Sequence, residues 1–188
     1  AFVTSISGTY NASENSEVGS PCFDLSAIEG EAWIALDVNW YSEGGYDGAV
    51  LQSSIDGGNT WLNVGEYGDP YNWYNEGSLY GSPGGQDEGW GGGYYSGTAS
   101  NGWKQAKHLI DASLYQADVR FRVAYGADPS VQSEGFAFDN VIIVDYKAAD
   151  LGADVLSLCG AGSTTLDPNV NFYGTIEWSV EFRRIRVV

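Results

Sequence analysis

The segment Asp47–Trp61 constrains the fold of this chain most, because it contains a complete β-hairpin signal. Val50 and Leu51 favour a first strand, and Trp61 lies where a second strand begins. Between them, Asp56-Gly57-Gly58-Asn59 supplies residues that enter left-handed backbone at little steric cost. The segment therefore predicts antiparallel β-structure, and helical periodicity is almost absent elsewhere.

The same hairpin contains Ser54-x-Asp56-x-Gly58-x-Thr60-Trp61, which matches the Asp-box pattern. That motif implies that the Asp56 carboxylate caps the turn backbone and that Trp61 packs over the turn. Asp-boxes occur in many secreted β-proteins. The motif therefore indicates an all-β protein of the kind that is secreted, but it assigns no chemical activity.

Further strand candidates recur between turn signals over residues 1–146. They are Phe2–Ile6, Pro21–Asp24, Ala32–Tyr41, Ala49–Ser54, Trp61–Val64, Trp103–Ile110, Val119–Tyr125 and Phe136–Tyr146. Val119–Val123 alternates strictly, which places its apolar residues inward and its arginines outward. Only Asp111–Tyr115 resembles a helical turn. The pattern predicts an all-β fold of two packed antiparallel sheets.

Composition narrows the classes of partner. The chain has 188 residues, 26 glycines and a formal net charge of −17. Such a charge repels phosphates and anionic headgroups, so we expect neither nucleic-acid binding nor docking on anionic lipid. It fits simple solubility and recruitment of cations such as calcium equally well. No apolar run is long enough to span a membrane, so membrane insertion is not predicted.

Aromatic residues interleaved with glycine fill the long segment 65–102. We interpret it as an ordered excursion whose rings either stack on sugar or close one end of the core. The rings proposed to contact a ligand are Trp73, Tyr74, Tyr80, Trp90, Tyr94 and Tyr95. Asn72 and Asp87 are the proposed polar partners, with Asp69, Asn75 and Glu88 as further hydrogen-bonding candidates. A carbohydrate groove is the functional interpretation of this segment.

The composition changes after Tyr146. Residues 147–150 are predicted to be a linker, and 151–180 the start of a truncated immunoglobulin-like β-domain or extension. The basic residues of 181–188 suggest a vector-derived tail. Cys22 and Cys159 could form a disulfide in an oxidising compartment, or both could stay reduced.

An ordered set of short motifs gives the chain a family resemblance. These are Asn11–Ser16, Ser20–Ser26, the Asp-box hairpin, Gly89-Trp90, Asn101-Gly102-Trp103 and Ser133–Val141. Together they resemble the MAM-like, concanavalin A-like jelly-roll domains of large secreted adhesins and hydrolases of Bacteroidetes-type bacteria. The resemblance covers residues 1–146. It implies the jelly-roll fold and a secreted or cell-surface location, and it says little about activity.

The resemblance also implies a structural calcium ion where the N-terminal segment meets the last strand. The matching oxygen ligands are Asn11, Glu14, Asn15, Glu17 and Asp139. An alternative role for Asp139 is to cap the turn before its strand. Such domains usually bind sugars or proteins beside other domains of their chain. We therefore expect a non-catalytic, calcium-stabilised module that binds a polysaccharide or a cell-surface glycan.

Two other functions stay open at this stage. A glycan-active enzyme would need two carboxylates about 5–10 Å apart. Candidate pairs are Glu29/Glu31, Asp37/Glu43 and Asp87/Glu88, but none forms a recognisable catalytic motif. The only histidine, His108, has no Gly-x-Ser-x-Gly nucleophile elbow to serve. The third possibility is a spacer without a ligand, which burial of nearly all rings between Tyr67 and Tyr95 would favour.

Overall fold

Alternating burial organises the longest strands. Even-numbered residues from Ala32 to Trp40 are buried, so the odd-numbered residues between them face the other side of the sheet. Phe121 and Val123 are likewise buried, whereas the two arginines beside them are partly exposed. This two-residue period confirms the alternation predicted for Val119–Val123, and the same period is found over Ala32–Trp40.

The structure, a computed structural model, describes residues 1–146. Its strands are β1 (Phe2–Val3), β2 (Asn15–Gly19), β3 (Glu31–Glu43), β4 (Gly48–Ser54), β5 (Leu62–Asn63), β6 (Trp90–Gly91), β7 (Gly93–Tyr94), β8 (Lys104–Leu109), β9 (Arg120–Gly126) and β10 (Gly135–Tyr146). Within that range, the only helical segments are two short 3₁₀ turns, Pro83–Gly85 and Ala112–Leu114. No helix there is long and apolar enough for a membrane span.

The strands form two five-stranded sheets packed as a sandwich. The first sheet has the order β1-β10-β3-β8, and β7 adds a short parallel pairing at the end of β3. The second sheet has the order β2-β9-β4-β5, with β6 also paired to β4. All pairings except that of β7 are antiparallel. The arrangement confirms the predicted all-β sandwich and is consistent with a jelly roll.

A β-bulge divides β10 into two halves that face opposite ways. Asp139 pairs with Asp37, but the next pairing joins Ile142 to Ala35, so β10 carries one extra residue. Asn140 adopts a left-handed φ of 50° at this point. Because of the bulge, Ile142 shares the outer face of the first sheet with Ala35.

Most strands lie where the sequence predicts them, but some strands have no clear signal in the sequence. The strands that were not predicted are β2, which consists of mostly exposed residues, and the two-residue strands β6 and β7. Pro21–Asp24 contributes only an isolated bridge, between Phe23 and Val119. The predicted linker, the immunoglobulin-like segment, the tail and Cys159 all lie outside the described residues. Cys22 is exposed.

Candidate metal centre

Three acidic residues from different parts of the chain meet at one end of the sandwich. Glu43 ends β3, Asp47 immediately precedes β4, and Asp128 follows β9. One carboxylate oxygen from each lies within 4.8 Å of the others. The residues are only 8 %, 0 % and 8 % exposed, respectively. We call this set the acidic cluster.

A tight turn holds two members of the cluster together. The Asp47 N–H donates to the Glu43 carbonyl at 3.0 Å, and Gly45 takes a φ of 78° that L-residues rarely adopt. The Ser42 hydroxyl donates to the Asp47 carbonyl at 2.7 Å. The β3–β4 turn therefore fixes Glu43 and Asp47 by local backbone geometry.

Asp47 connects this turn to two distant segments. Its Oδ1 accepts the backbone N–H of Asp128 at 2.7 Å, and its Oδ2 accepts the Tyr10 hydroxyl at 2.6 Å. The Asp128 carbonyl in turn accepts the Ser13 N–H at 2.7 Å, and its Oδ1 accepts the Ser130 N–H at 2.7 Å. The cluster therefore lies where the N-terminal segment crosses the loop after β9.

The cluster concentrates negative charge in a buried place. Burial raises the pKa of Glu43, and the Asp128 and Asp47 charges raise it further. Burial also raises the pKa of Asp47, against the opposing effect of its two hydrogen-bond donors. In the described part of the chain, no lysine or arginine nitrogen lies within 4 Å of these carboxylates.

One oxygen of the cluster lacks a hydrogen-bond partner. Glu43 Oε2 is buried and accepts no hydrogen bond from the described residues. An unpartnered buried carboxylate oxygen is costly unless it is protonated or bound to a cation. The donor set consists only of oxygen atoms, which hard cations prefer. The residues present therefore fit a metal ion, and the acidic cluster could hold one.

The five predicted metal ligands do not assemble at this place. Asn11, which is exposed, donates its side-chain amide to the partly exposed Glu14 at 2.6 Å. Glu17 pairs with Arg122. Asp139 accepts the Asn140 N–H and pairs with the Ala1 amino group.

Asn15 begins β2, and the carboxylates of Glu14, Glu17 and Asp139 form no metal-sized group among residues 1–146. The N-terminal segment still contributes, because Tyr10 and Ser13 contact the acidic cluster. The sequence did contain a usable signal at Asp47 and Asp128: each is an acidic residue directly beside a β-rich run.

Three of the rings predicted to contact a ligand lie in the core instead. Trp73, Tyr74 and Trp90 are 2 %, 1 % and 0 % exposed. The Trp90 ring lies 4.7 Å from the Tyr74 ring and 5.7 Å from the Phe136 ring, measured between centroids. Their polar atoms bond to backbone carbonyls, as when the Tyr74 hydroxyl donates to Leu51 at 2.8 Å. These rings close the core, so a surface ligand cannot reach them.

The other predicted rings surround the β3–β4 turn. Tyr80 and Tyr95 are 72 % and 77 % exposed, and Tyr94 is partly exposed. The Tyr94 carbonyl accepts the Gly44 N–H at 3.1 Å, and the Tyr80 N–H donates to Gly45 at 3.2 Å. A surface ligand could reach these three tyrosines, so their predicted role stays open. Asp87 is also exposed.

His108 takes part in a structural pair. Its Nε2 lies 2.9 Å from Asp69 Oδ2, and its ring packs against Trp73 with centroids 5.0 Å apart. Asp69, predicted to bind a ligand, thus fastens the aromatic excursion to β8. Asn72 has a similar role, because its side-chain amide donates to the Gln105 carbonyl at 2.9 Å.

Comparison with known proteins gave no family for the chain. No protein-family model matches it, and no curated protein shows significant similarity to it.

Proposed function

We propose that residues 1–146 form a non-catalytic β-sandwich module of a larger secreted protein, stabilised by calcium and binding a carbohydrate. The observation that carries this proposal is the acidic cluster of Glu43, Asp47 and Asp128. It is buried, it lacks a basic partner among the described residues, and Glu43 Oε2 is unsatisfied there. A bound cation would neutralise this charge and satisfy that oxygen.

Calcium fits the cluster best among common cations. It accepts six to eight oxygen ligands in flexible geometry, and it uses carboxylates, carbonyls and water together. Zinc and copper favour the nitrogen and sulfur ligands that this cluster lacks. Two carboxylates are already fixed by hydrogen bonds from Tyr10 and Ser130, so ion binding would need little reorganisation.

The burial of the cluster supports a structural role over catalysis. A polysaccharide substrate must lie between two accessible carboxylates. The cluster residues are at most 8 % exposed, which leaves no room for a sugar between them. His108 is bonded to Asp69, and no serine hydroxyl bonds to its ring within residues 1–146.

Thermal unfolding with calcium and with a chelator tests the proposal. A ligand that binds only the folded state stabilises it by about 2.7 kcal/mol at a hundredfold excess over its Kd. We therefore expect calcium to raise the Tm in a saturable way, and the Glu43→Gln variant to lose most of that rise. Glu134→Gln is the matched control, because Glu134 is exposed and lies outside the cluster. An unchanged Tm for the wild-type protein would refute the calcium site.

A further inference from the structure

A groove crosses the outer face of the first sheet, away from the acidic cluster. Its volume is about 270 Å³, and it is lined by Trp33, Ala35, Gln105, Lys107, Ile142 and Val144. These residues come from the three neighbouring strands β8, β3 and β10. The small Ala35 side chain forms its floor between Lys107 on one side and Ile142 on the other, because these residues are cross-strand neighbours.

The bulge in β10 creates the apolar wall of this groove. Without the extra residue near Asn140, Ile142 and Val144 would point towards the core. Ile142 is instead 50 % exposed, and Ile143 packs against the core. The fold therefore places apolar side chains on an outer surface where burial does not require them.

An aromatic pair borders the groove: Trp33 lines it, and Tyr71 packs against Trp33 from outside the lining. Trp33 and Tyr71 meet edge to face, with centroids 5.8 Å apart, and Tyr71 is 51 % exposed. Tyr71 and Asn72 are consecutive non-glycine residues with φ values of 65° and 59°. This uncommon backbone is held in place because the Tyr71 carbonyl accepts the Lys107 N–H at 3.2 Å.

Lys107 brings an unpaired positive charge to these rings. Its Nζ lies 4.3 Å from the Tyr71 ring centroid and 5.5 Å from that of Trp33. No carboxylate lies within 4 Å of it among residues 1–146, although Arg120 and Arg122 both pair with acids there. Lys104, the other lysine of residues 1–146, also has no carboxylate within 4 Å in that range, so the feature that distinguishes Lys107 is the position of its ammonium over the two rings.

We propose that this groove binds an acidic polysaccharide through its uronic acid residues. The proposal specifies the ligand of the carbohydrate-binding function proposed above, and it does not require the calcium site. The Lys107 ammonium would pair with the sugar carboxylate, while Trp33 contacts the C–H face of the pyranose and Tyr71 holds the Trp33 ring and the ammonium in place. Gln105 offers a side-chain amide for the hydroxyl groups.

The shape of the groove favours a sugar over an acidic peptide. Its floor and far wall are apolar and carry no backbone edge for strand pairing, since β8, β3 and β10 pair with one another across it. A pyranose presents an apolar face and polar edges together, which matches a ring beside an amide and an ammonium. Asp37 is the cross-strand neighbour of Gln105, and its negative charge would repel the sugar carboxylate from that end of the groove. The carboxylate would therefore lie at the Lys107 end.

Calorimetric titration of the full chain tests the proposal. The probes are short oligomers of galacturonic, mannuronic and guluronic acid, and the fully methyl-esterified galacturonate oligomer serves as the uncharged control. We expect at least one acidic oligomer to bind and the methyl ester to bind at least about tenfold more weakly. The loss of affinity caused by a Lys107→Gln substitution should become smaller at raised salt, because the contact that it removes is an exposed ion pair.

Substitutions at Lys107, Lys104 and Tyr71 show which side chains the sugar binding requires. Lys107→Gln should weaken binding about tenfold, and Lys107→Arg should retain most of it. Lys104→Gln removes the same charge from β8 at a residue on the opposite face, and it should leave binding unchanged. Tyr71→Asn removes the ring and keeps a residue that tolerates left-handed backbone, so it should weaken binding without unfolding the protein.

Several results would overturn the proposal. These are absence of binding to all three acidic oligomers, equal binding of the methyl ester, equal loss in Lys104→Gln, and equal binding of poly-glutamate. The last result would indicate an acidic peptide as the ligand. The calcium-dependent Tm shift, measured on the same samples, separates this proposal from the metal site. Absence of oligomer binding with an intact calcium-dependent Tm shift refutes only the groove. Absence of the Tm shift with intact oligomer binding refutes only the metal site.

Discussion

Tyr10 donates its hydroxyl to Asp47 Oδ2 at 2.6 Å, and both residues are almost completely buried. This bond joins the N-terminal segment to the β3–β4 turn and orients one carboxylate of the acidic cluster. The Tyr10 ring also packs edge to face on Tyr125, with centroids 5.2 Å apart. The N-terminal segment thus completes the cluster through a side chain that the sequence did not single out.

Tyr10→Phe should destabilise the protein by about 1–3 kcal/mol, because it leaves a buried carboxylate oxygen without its donor. The ring and its packing remain, so the loss of stability reports the hydroxyl, which also accepts the Glu43 N–H at 3.4 Å and lies 3.4 Å from the Val131 carbonyl. Urea unfolding measures it. Tyr80→Phe is the control, since Tyr80 is 72 % exposed, and it should change the stability by less than about 0.5 kcal/mol. Equal effects of the two substitutions would contradict the assigned role of the bond.

In metal-free protein, the contribution of the acidic cluster to stability should increase as the pH falls from neutral towards the ordinary carboxyl pKa values of 4.5 and 3.8. Burial raises the pKa of Glu43 and of Asp47 above their ordinary values of 4.5 and 3.8. At a pH between the ordinary and the raised pKa of these two carboxyl groups, the folded state binds more protons than the unfolded state. The resulting stability is complete below the ordinary values and is lost as the pH rises through the raised ones.

Thermal unfolding in chelator across this pH range measures the effect. Glu43→Gln should flatten the slope, because the amide cannot ionise. Burial also raises the pKa of Glu76, but that residue is the same in both proteins, so their difference isolates the cluster. Calcium should raise the Tm less at the acidic end, where protons compete for the same oxygens. A slope of the same size in the variant would argue against the cluster.

Asp56→Asn should lower the Tm near neutral pH. The Asp56 carboxylate accepts the Thr60 N–H at 2.9 Å and the hydroxyls of Thr60 and Ser54 at 2.7 and 2.8 Å. These bonds lower its pKa to about 2. Their stabilisation is present above the ordinary value of 3.8 and is lost as the pH falls towards about 2. Asp87→Asn, at an exposed site, is the control and should leave the Tm unchanged.

Trp90→Ala should cost about 3–5 kcal/mol of stability, because it empties a fully buried site between Trp73, Tyr74 and Phe136. Trp90→Phe keeps part of the volume and should cost less, so it gives a measurable value if the alanine variant does not fold. Tyr95→Ala removes a ring that is 77 % exposed and should have little effect. Similar costs for Trp90→Ala and Tyr95→Ala would contradict a core role for Trp90.

The sequence determined those features that depend on near neighbours. The alternation over Ala32–Trp40 fixes which face of β3 is buried, and the bonds of the hairpin turn connect residues no more than four apart, such as Asp56 and Thr60. The pattern of strand and turn signals correctly indicated an all-β protein, because such signals are encoded within short windows.

Only the tertiary structure decided which distant residues meet. Glu43 and Asp47 are close in sequence, but Asp128 reaches them from 81 residues beyond Asp47. Trp90 and Tyr95 both lie in the glycine-rich segment 65–102, and the local sequence does not distinguish the buried ring of Trp90 from the exposed ring of Tyr95. Burial and charge clustering depend on how the two sheets and their loops pack, and that packing is not encoded in any local pattern.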